Sequence, residues 1–130
     1  MLLVETNIGP SKIHGIGLFA AQFISKGTPI WRFLKGFDIE VNEHDLARLL
    51  EPARKQFLHF AYRDPKTKLY TLCFDNARFT NHSDKPNTVT IINKDGEEID
   101  IAAQDIKSGE EITYNYGDLE DDYGENWKKY

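Results

Sequence analysis

The sequence predicts a single domain that is mainly β with short helices, in the α+β class. Three observations carry this. Short apolar runs are broken at close intervals by Gly, Pro, Asn and Asp; two neighbouring segments alternate with the two-residue period of a strand; and few stretches have helical spacing. The 130 residues, 40% hydrophobic and 12% aromatic, suffice for one core and leave no room for a second catalytic domain. The domain is therefore expected over residues 1–130, with its core at about 9–117 and an acidic tail at 118–130.

Taken in order, strands are expected at 2–5, 17–20 and 30–37. Asn42 then supplies a helix N-cap, with Glu43 and Asp45 in the first turn, where they favour the positive helix end. Leu46, Leu49 and Leu50 share a face of that helix. Pro52 suits the first turn of a second helix, whose buried side is Phe57, Leu58, Phe60 and Ala61, up to Asp64-Pro65. Further strands are expected at 69–74, 88–93, 99–103 and 111–114. Residues 88–92 and 98–101 alternate as half-buried strands do, and Asp95-Gly96 between them supplies a hairpin turn.

Charge and composition exclude several function classes. A formal charge of −5 and a pI near 5.3 argue against a phosphate-binding, nucleic-acid surface and make a cationic protein or peptide the more natural partner. With Cys73 as the single cysteine, neither a disulfide framework nor a thiolate metal cluster can form within the chain. The histidines at 14, 44, 59 and 82 lack the paired spacing of a zinc site, so no metal is expected. Residues 1–5 show no basic leader region, and no run of about 18 apolar residues occurs, so a cytoplasmic protein outside the membrane is expected.

Three polar clusters carry candidate chemistry. In the first, Lys12-Ile13-His14-Gly15-Ile16-Gly17-Leu18-Phe19-Ala20, two glycines permit positive φ and close approach of a ligand to the backbone; alone, it equally describes a turn between strands. It also fits a dinucleotide G-x-G-x-x-A pattern with Asp38 downstream. That pattern needs a helix opening at the glycines, whereas Ser25-Lys26-Gly27-Thr28-Pro29 reaches a turn almost at once. The second, Arg78-Phe79-Thr80-Asn81-His82-Ser83-Asp84-Lys85-Pro86-Asn87, offers an Arg fork for a carboxylate and Asn groups for an amino-acid-like ligand, or else simply turns the chain. The third, Ser108-Gly109-Glu110-Glu111-Ile112-Thr113-Tyr114-Asn115-Tyr116-Gly117, reads as a turn, a strand and two tyrosines closed by glycine.

In this order the three clusters resemble the signature set of SET-domain protein lysine methyltransferases. The family's G-x-G, R-F-x-N-H-S-C-x-P-N and G-E-E-L-T-x-D-Y are matched at Gly15-Ile16-Gly17, Arg78 to Asn87 and Gly109 to Tyr116, within a resemblance running from Gly9 to Gly117. It implies a SET-domain fold of small curved β-sheets with a C-terminal pseudoknot (β-clip) that brings the second and third motifs together. It implies S-adenosyl-L-methionine as cofactor, held by the backbone at Ile16 and Gly17 with Arg78, Asn81 and His82. Tyr116 would be the catalytic residue where cofactor and lysine channel meet, and Tyr70 and Tyr114 would be channel walls unless they serve as core.

The implied reaction is methyl transfer to a lysine side-chain amine of a basic protein; the alternative is an inactive SET-like module that binds a peptide or S-adenosylmethionine without turnover. Two departures stand out. Asp84 occupies the family's usual cysteine position, and no Cys-rich segment follows Tyr116, so a zinc-bound cap is not expected. Trp127 has the flat apolar face needed to cover an adenine, with Tyr123 the other candidate, unless Trp127 merely packs on the domain. A second copy of the chain, in a homodimer, is another way to complete the site. Asp118, Glu120, Asp121, Asp122 and Glu125 are expected to attract a basic peptide, or to form only a solvated face.

Overall fold

Residues 1–118 are described by the computed structural model, and among them the strands assort into three small sheets rather than one continuous one. Strands β1 (Thr6–Pro10) and β2 (Ile16–Ala20) form an antiparallel hairpin, from Thr6↔Ala20 to Pro10↔Ile16. After β3 (Pro29–Arg32) and β4 (Ile39–Val41) come two helices, α1 (Glu43–Ala47) and α2 (Glu51–Phe60). The short strands β5 (Tyr62–Arg63) and β6 (Tyr70–Leu72) precede a 3-10 turn at Asn76–Phe79 that leads into β7 (Asn81–His82). A second hairpin, β8 (Thr88–Ile92) with β9 (Glu98–Ala102), is followed by β10 (Glu111–Tyr114) and a 3-10 turn at Tyr116–Asp118. The sheet orders are β1-β2-β10-β7, β3-β9-β8 and β4-β6-β5.

Several expectations need correction. The first strand lies at Thr6–Pro10, not 2–5, where Leu2 makes only an isolated bridge to Trp31. Gly9 and Pro10 resemble strand breakers, but β1 is an edge strand, which tolerates both because it needs a partner on one side only. The third stops at Arg32 rather than Phe37, since the Asp38 carboxylate accepts from the Leu34 N–H at 2.9 Å and Gly36, at φ 85°, turns the chain. Helix α2 ends at Phe60, not near Asp64: Ala61 is already extended, and the chain passes directly into β5, paired with β6. Leu50 does not share the face of buried Leu46; it precedes α2 and is 80% exposed.

The local signals around Asn42 and the second hairpin hold. Asn42 Oδ1 caps α1 by accepting from the Asp45 N–H at 2.8 Å. Asn93 Oδ1 accepts from the Asp95 and Glu97 N–H groups, both at 2.9 Å, and Gly96 takes φ 80°. Yet the facing of β8 is inverted relative to its hydrophobicity: Thr88 is buried and Thr90 half-buried, while Val89 and Ile91 are exposed.

The core joins the first two sheets. Leu18 of β2 and Ile112 of β10 are sealed with Ile24, Ile30, Ala102 and Ile106, each such large side chain contributing about 1.5–3 kcal/mol on burial. Strand β10 is central: it pairs antiparallel with β2 at Ile112↔Leu18 and parallel with β7 at Thr113↔Asn81 and Tyr114↔His82. The second and third motifs are thereby neighbours.

Candidate active site

Glu111 opens β10 and reaches across to the glycine loop. Its carboxylate accepts from Ser11 Oγ at 2.8 and 3.0 Å and from Asn81 Nδ2 at 2.9 Å. Asn81 Nδ2 also lies 3.0 Å from the His14 carbonyl and 3.3 Å from the Ile16 carbonyl. Loop 11–17 is therefore tied at both ends to β10 and β7. A Cβ at Gly17 would stand 2.2 Å from Glu111 Oε1, so a side chain there would displace the carboxylate from these contacts. Gly15, at φ 45°, faces open space instead.

The far part of the second motif grips β10 as well. Asn87 Nδ2 donates to the Glu111 carbonyl at 2.8 Å while its Oδ1 accepts from the Thr113 N–H at 2.8 Å, and Thr88 Oγ1 donates to the Thr113 carbonyl at 2.7 Å. His82 Nδ1 accepts from the Tyr116 N–H at 3.1 Å, so its proton belongs on Nε2, which meets Asp84 Oδ1 at 3.0 Å. The Tyr116 N–H thus sets the tautomer, and the exposed Asp84 carboxylate meets the other ring nitrogen. The His82 ring also lies 5.3 Å from that of Tyr116.

The two tyrosines are fixed differently. Tyr116 donates its hydroxyl to the Thr80 carbonyl at 2.6 Å, and burial pushes its phenol up to about 12. Tyr114, 6% exposed, has its hydroxyl 2.5 Å from Thr90 Oγ1, which in turn donates to Asp100 Oδ1 at 2.6 Å. Burial pushes Tyr114 up to about 12, against a lowering from the Thr90 bond. Asp100 is likewise lifted by burial, to about 6, with Thr90 holding it back. Burial also raises the Tyr62 phenol, reinforced by charge at Cys73 and Asp100.

Tyr62, Thr90, Asp100, Tyr114 and Tyr116 line one cavity of about 850 Å³, within the ~300–1,000 Å³ of small-molecule sites. Arg78 lines it too, its guanidinium 5.2 Å from the Phe79 ring centroid and 5.9 Å from that of Phe60. Of the residues singled out from sequence, Arg78, Tyr114 and Tyr116 converge on this cavity, while Ile16, Gly17, Asn81 and His82 form the adjoining loop and strand network. Tyr70 does not line the cavity; its ring carries the Arg63 guanidinium at 5.5 Å. Trp127, Tyr123 and the acids from Glu120 to Glu125 lie outside the described residues. Sequence reasoning passed over Tyr62, Thr80, Thr90 and Asp100. A signal existed for Asp100, a charged residue on a strand alternating with isoleucines.

Among the described residues no group of three or more His, Cys, Asp or Glu side chains is placed to hold a metal, and no helix is long and apolar enough to cross a membrane.

A family model described as SET domain matches residues 15–117. Over 117 residues the chain is 34% identical to Histone-lysine N-methyltransferase trr of Drosophila melanogaster, and over 116 residues 30% identical to Histone-lysine N-methyltransferase 2D of Homo sapiens. Each match takes in 86% of this chain but only 5% and 2% of those proteins' lengths. Among solved structures, a humanized mutant of the Chaetomium thermophilum Polycomb Repressive Complex 2 is similar with a TM-score of 0.65 at 25% identity, covering 92% of this chain and 16% of that one.

Proposed function

This chain belongs to the SET domain family, and on that premise we propose that it is a protein-lysine N-methyltransferase, moving a methyl group from S-adenosylmethionine to a lysine side-chain amine of a basic protein. The observation that carries this is the convergence of Tyr114, Tyr116 and Arg78 on one cavity beside a glycine loop locked by Asn81 and Glu111. The parallel pairing of β7 with β10 supports the reading of the C-terminal segment as a β-clip pseudoknot.

The residues present fit the cofactor. Arg78 offers a guanidinium at the cavity wall for a carboxylate, and the backbone at Ile16 and Gly17 with Asn81 and His82 would hold the remainder. The Asn81 amide nitrogen is already committed to His14, Ile16 and Glu111, so Asn81 acts mainly by shaping the loop and has its oxygen for a ligand. When bound, S-adenosylmethionine supplies the electrophilic methyl group on a sulfonium.

The chain's own residues have to hold a lysine amine, exclude water and favour the neutral form. An amine of ordinary pKa about 10.4 is protonated at neutral pH, and transfer into a cavity walled by aromatic rings lowers that value. Tyr116 is no general base: its hydroxyl donates to the Thr80 carbonyl, and burial raises its phenol to about 12. Its hydroxyl oxygen, at the cavity wall, would orient an amine N–H. Placement rather than proton removal is its contribution.

On this reading the partner is a basic protein and not nucleic acid or membrane, consistent with the charge of −5 and the acids after Tyr116. The cover over an adenine would come from Trp127, which lies outside the described residues, or from a second copy in a homodimer. A reducing, cytoplasmic setting suits the buried free thiol of Cys73, which burial pushes up to about 12.

Calorimetry with S-adenosylmethionine, followed by labelled-methyl transfer to mixed basic proteins, tests the proposal. Tyr116→Phe is expected to lower transfer at least ~100-fold while the cofactor Kd stays within about threefold. Tight cofactor binding by the native chain with no transfer to any basic protein would sink the enzyme reading in favour of a binding module.

A further inference from the structure

The cavity contains a carboxylate that the proposed reaction leaves unused. Asp100, on β9, accepts from Thr90 Oγ1 at 2.6 Å, and that oxygen lies 2.5 Å from the Tyr114 hydroxyl. A threonine hydroxyl carries one hydrogen. While Asp100 is ionised, that hydrogen is given to the carboxylate, so Thr90 accepts from Tyr114 and the phenol's lone pairs are left for the cavity. Once Asp100 is protonated it can donate to Thr90, whose hydrogen then turns to the phenol oxygen. The hydrogen of Tyr114 is then released toward the cavity. One proton on Asp100 reverses the polarity of a hydroxyl two hydrogen bonds away.

Building on the lysine methyltransferase reading, we propose that Asp100 is a positioning residue acting through Thr90. Its charged form keeps the Tyr114 hydroxyl an acceptor for the N–H of the target amine; its neutral form makes that hydroxyl a donor that occupies the amine lone pair. The lone pair must be free to attack, so the second arrangement is unproductive.

The surroundings of Asp100 bring the switch into reach. Burial lifts its carboxyl to about 6, and Glu98 on the same strand pushes the same way, while Thr90 and the Met1 ammonium oppose. Tyr62 from β5 and Cys73 just after β6 are ionisable neighbours, both raised by burial and both neutral at pH 7. Trp31 is the register partner of Asp100 on β3, and its buried Nε1 has no hydrogen-bond partner among the described residues. Arg32, Glu40, His59, Asp64, Arg78, Glu97 and Asp118 also line the cavity, and Lys66 there is paired with Glu98.

Two measurements test this. NMR of chain carrying ¹³C at tyrosine Cζ reads the Tyr114 hydroxyl between about pH 4.5 and 8 with no need for turnover. A Tyr114 transition with a midpoint near 6 is expected, and its loss in Asp100→Asn and in Thr90→Val. Turnover on a basic protein should show an acid limb that Asp100→Asn abolishes. Thr90→Val should lower kcat about tenfold with KM nearly unchanged, and Thr90→Ser should recover kcat to within about threefold. A Tyr114 signal that ignores pH, or a Thr90→Val enzyme with native kcat, overturns the inference. An intact NMR transition in a chain that transfers no methyl supports the coupling while overturning the enzyme reading.

Discussion

Two carboxylates flank β10, and the chain holds them in opposite ways. Glu111, toward the glycine loop, accepts from Ser11 and Asn81 through three contacts of 2.8 to 3.0 Å. Asp100, in the cavity, accepts among the described residues from Thr90 alone. A carboxylate with its lone pairs filled fixes its neighbours, whereas one with a single donor keeps the capacity to take up a proton. One flank of the strand is built as a lock and the other as an adjustable contact. The tyrosines repeat the contrast, Tyr116 ending on a main-chain carbonyl and Tyr114 on a side-chain relay.

Breaking the lock should have the largest effect on stability. Gly17→Ala drives a Cβ to within 2.2 Å of Glu111 Oε1 and 3.1 Å of Ser11 Cβ, so the carboxylate must leave its donors. A loss of about 2–4 kcal/mol is expected in urea unfolding, together with weakened cofactor binding in calorimetry. An unchanged midpoint would mean that Glu111 is not what holds the loop. Glu111→Gln keeps the shape but removes the charge from these contacts, and should cost about 1–3 kcal/mol in the same titration.

The adjustable side should respond with the opposite sign. Asp100 has its carboxyl raised from 3.8 to about 6, so the folded chain binds this proton more tightly than the unfolded chain does. Its stabilising contribution is complete below the unfolded value and is lost as pH rises through about 6. Asp100→Asn is therefore expected to stabilise the domain at pH 7 by about 1–2 kcal/mol and to flatten the decline between about pH 4 and 7. Urea titrations of both chains at the two pH values measure it; a destabilised variant at pH 7 would reverse the assignment.

What could be read in the sequence was what depends on near neighbours. The Asn42 cap, Pro52 at a helix start and the turn at Asp95-Gly96 each act over a few residues, and each is found. The three motifs were recognisable as a set, and the pairing of Asn81 with Thr113 puts two of them side by side. The two- and three-residue strands β4, β5 and β7 escaped notice because their partners are remote and their own pattern is too short for periodicity.

The facing of β8 was illegible for a different reason. Hydrophobicity would turn Val89 and Ile91 inward, but Thr88 and Thr90 take the inner face because their hydroxyls find the Thr113 carbonyl and the Tyr114 phenol. Only the register of β8 against β9 and the nearness of β10 decide that, and neither is a local property. The relay from Tyr114 to Asp100 went unseen for the same cause.

The central place of β10 also orders events in time. Its partners β2 and β7 precede it in the chain, yet the four-stranded sheet cannot be completed until residues 111–114 join them. Until then Leu18 and its apolar neighbours lack the Ile112 side chain that seals them. Pairing so distant in sequence makes for slow folding in which the sheet is completed late.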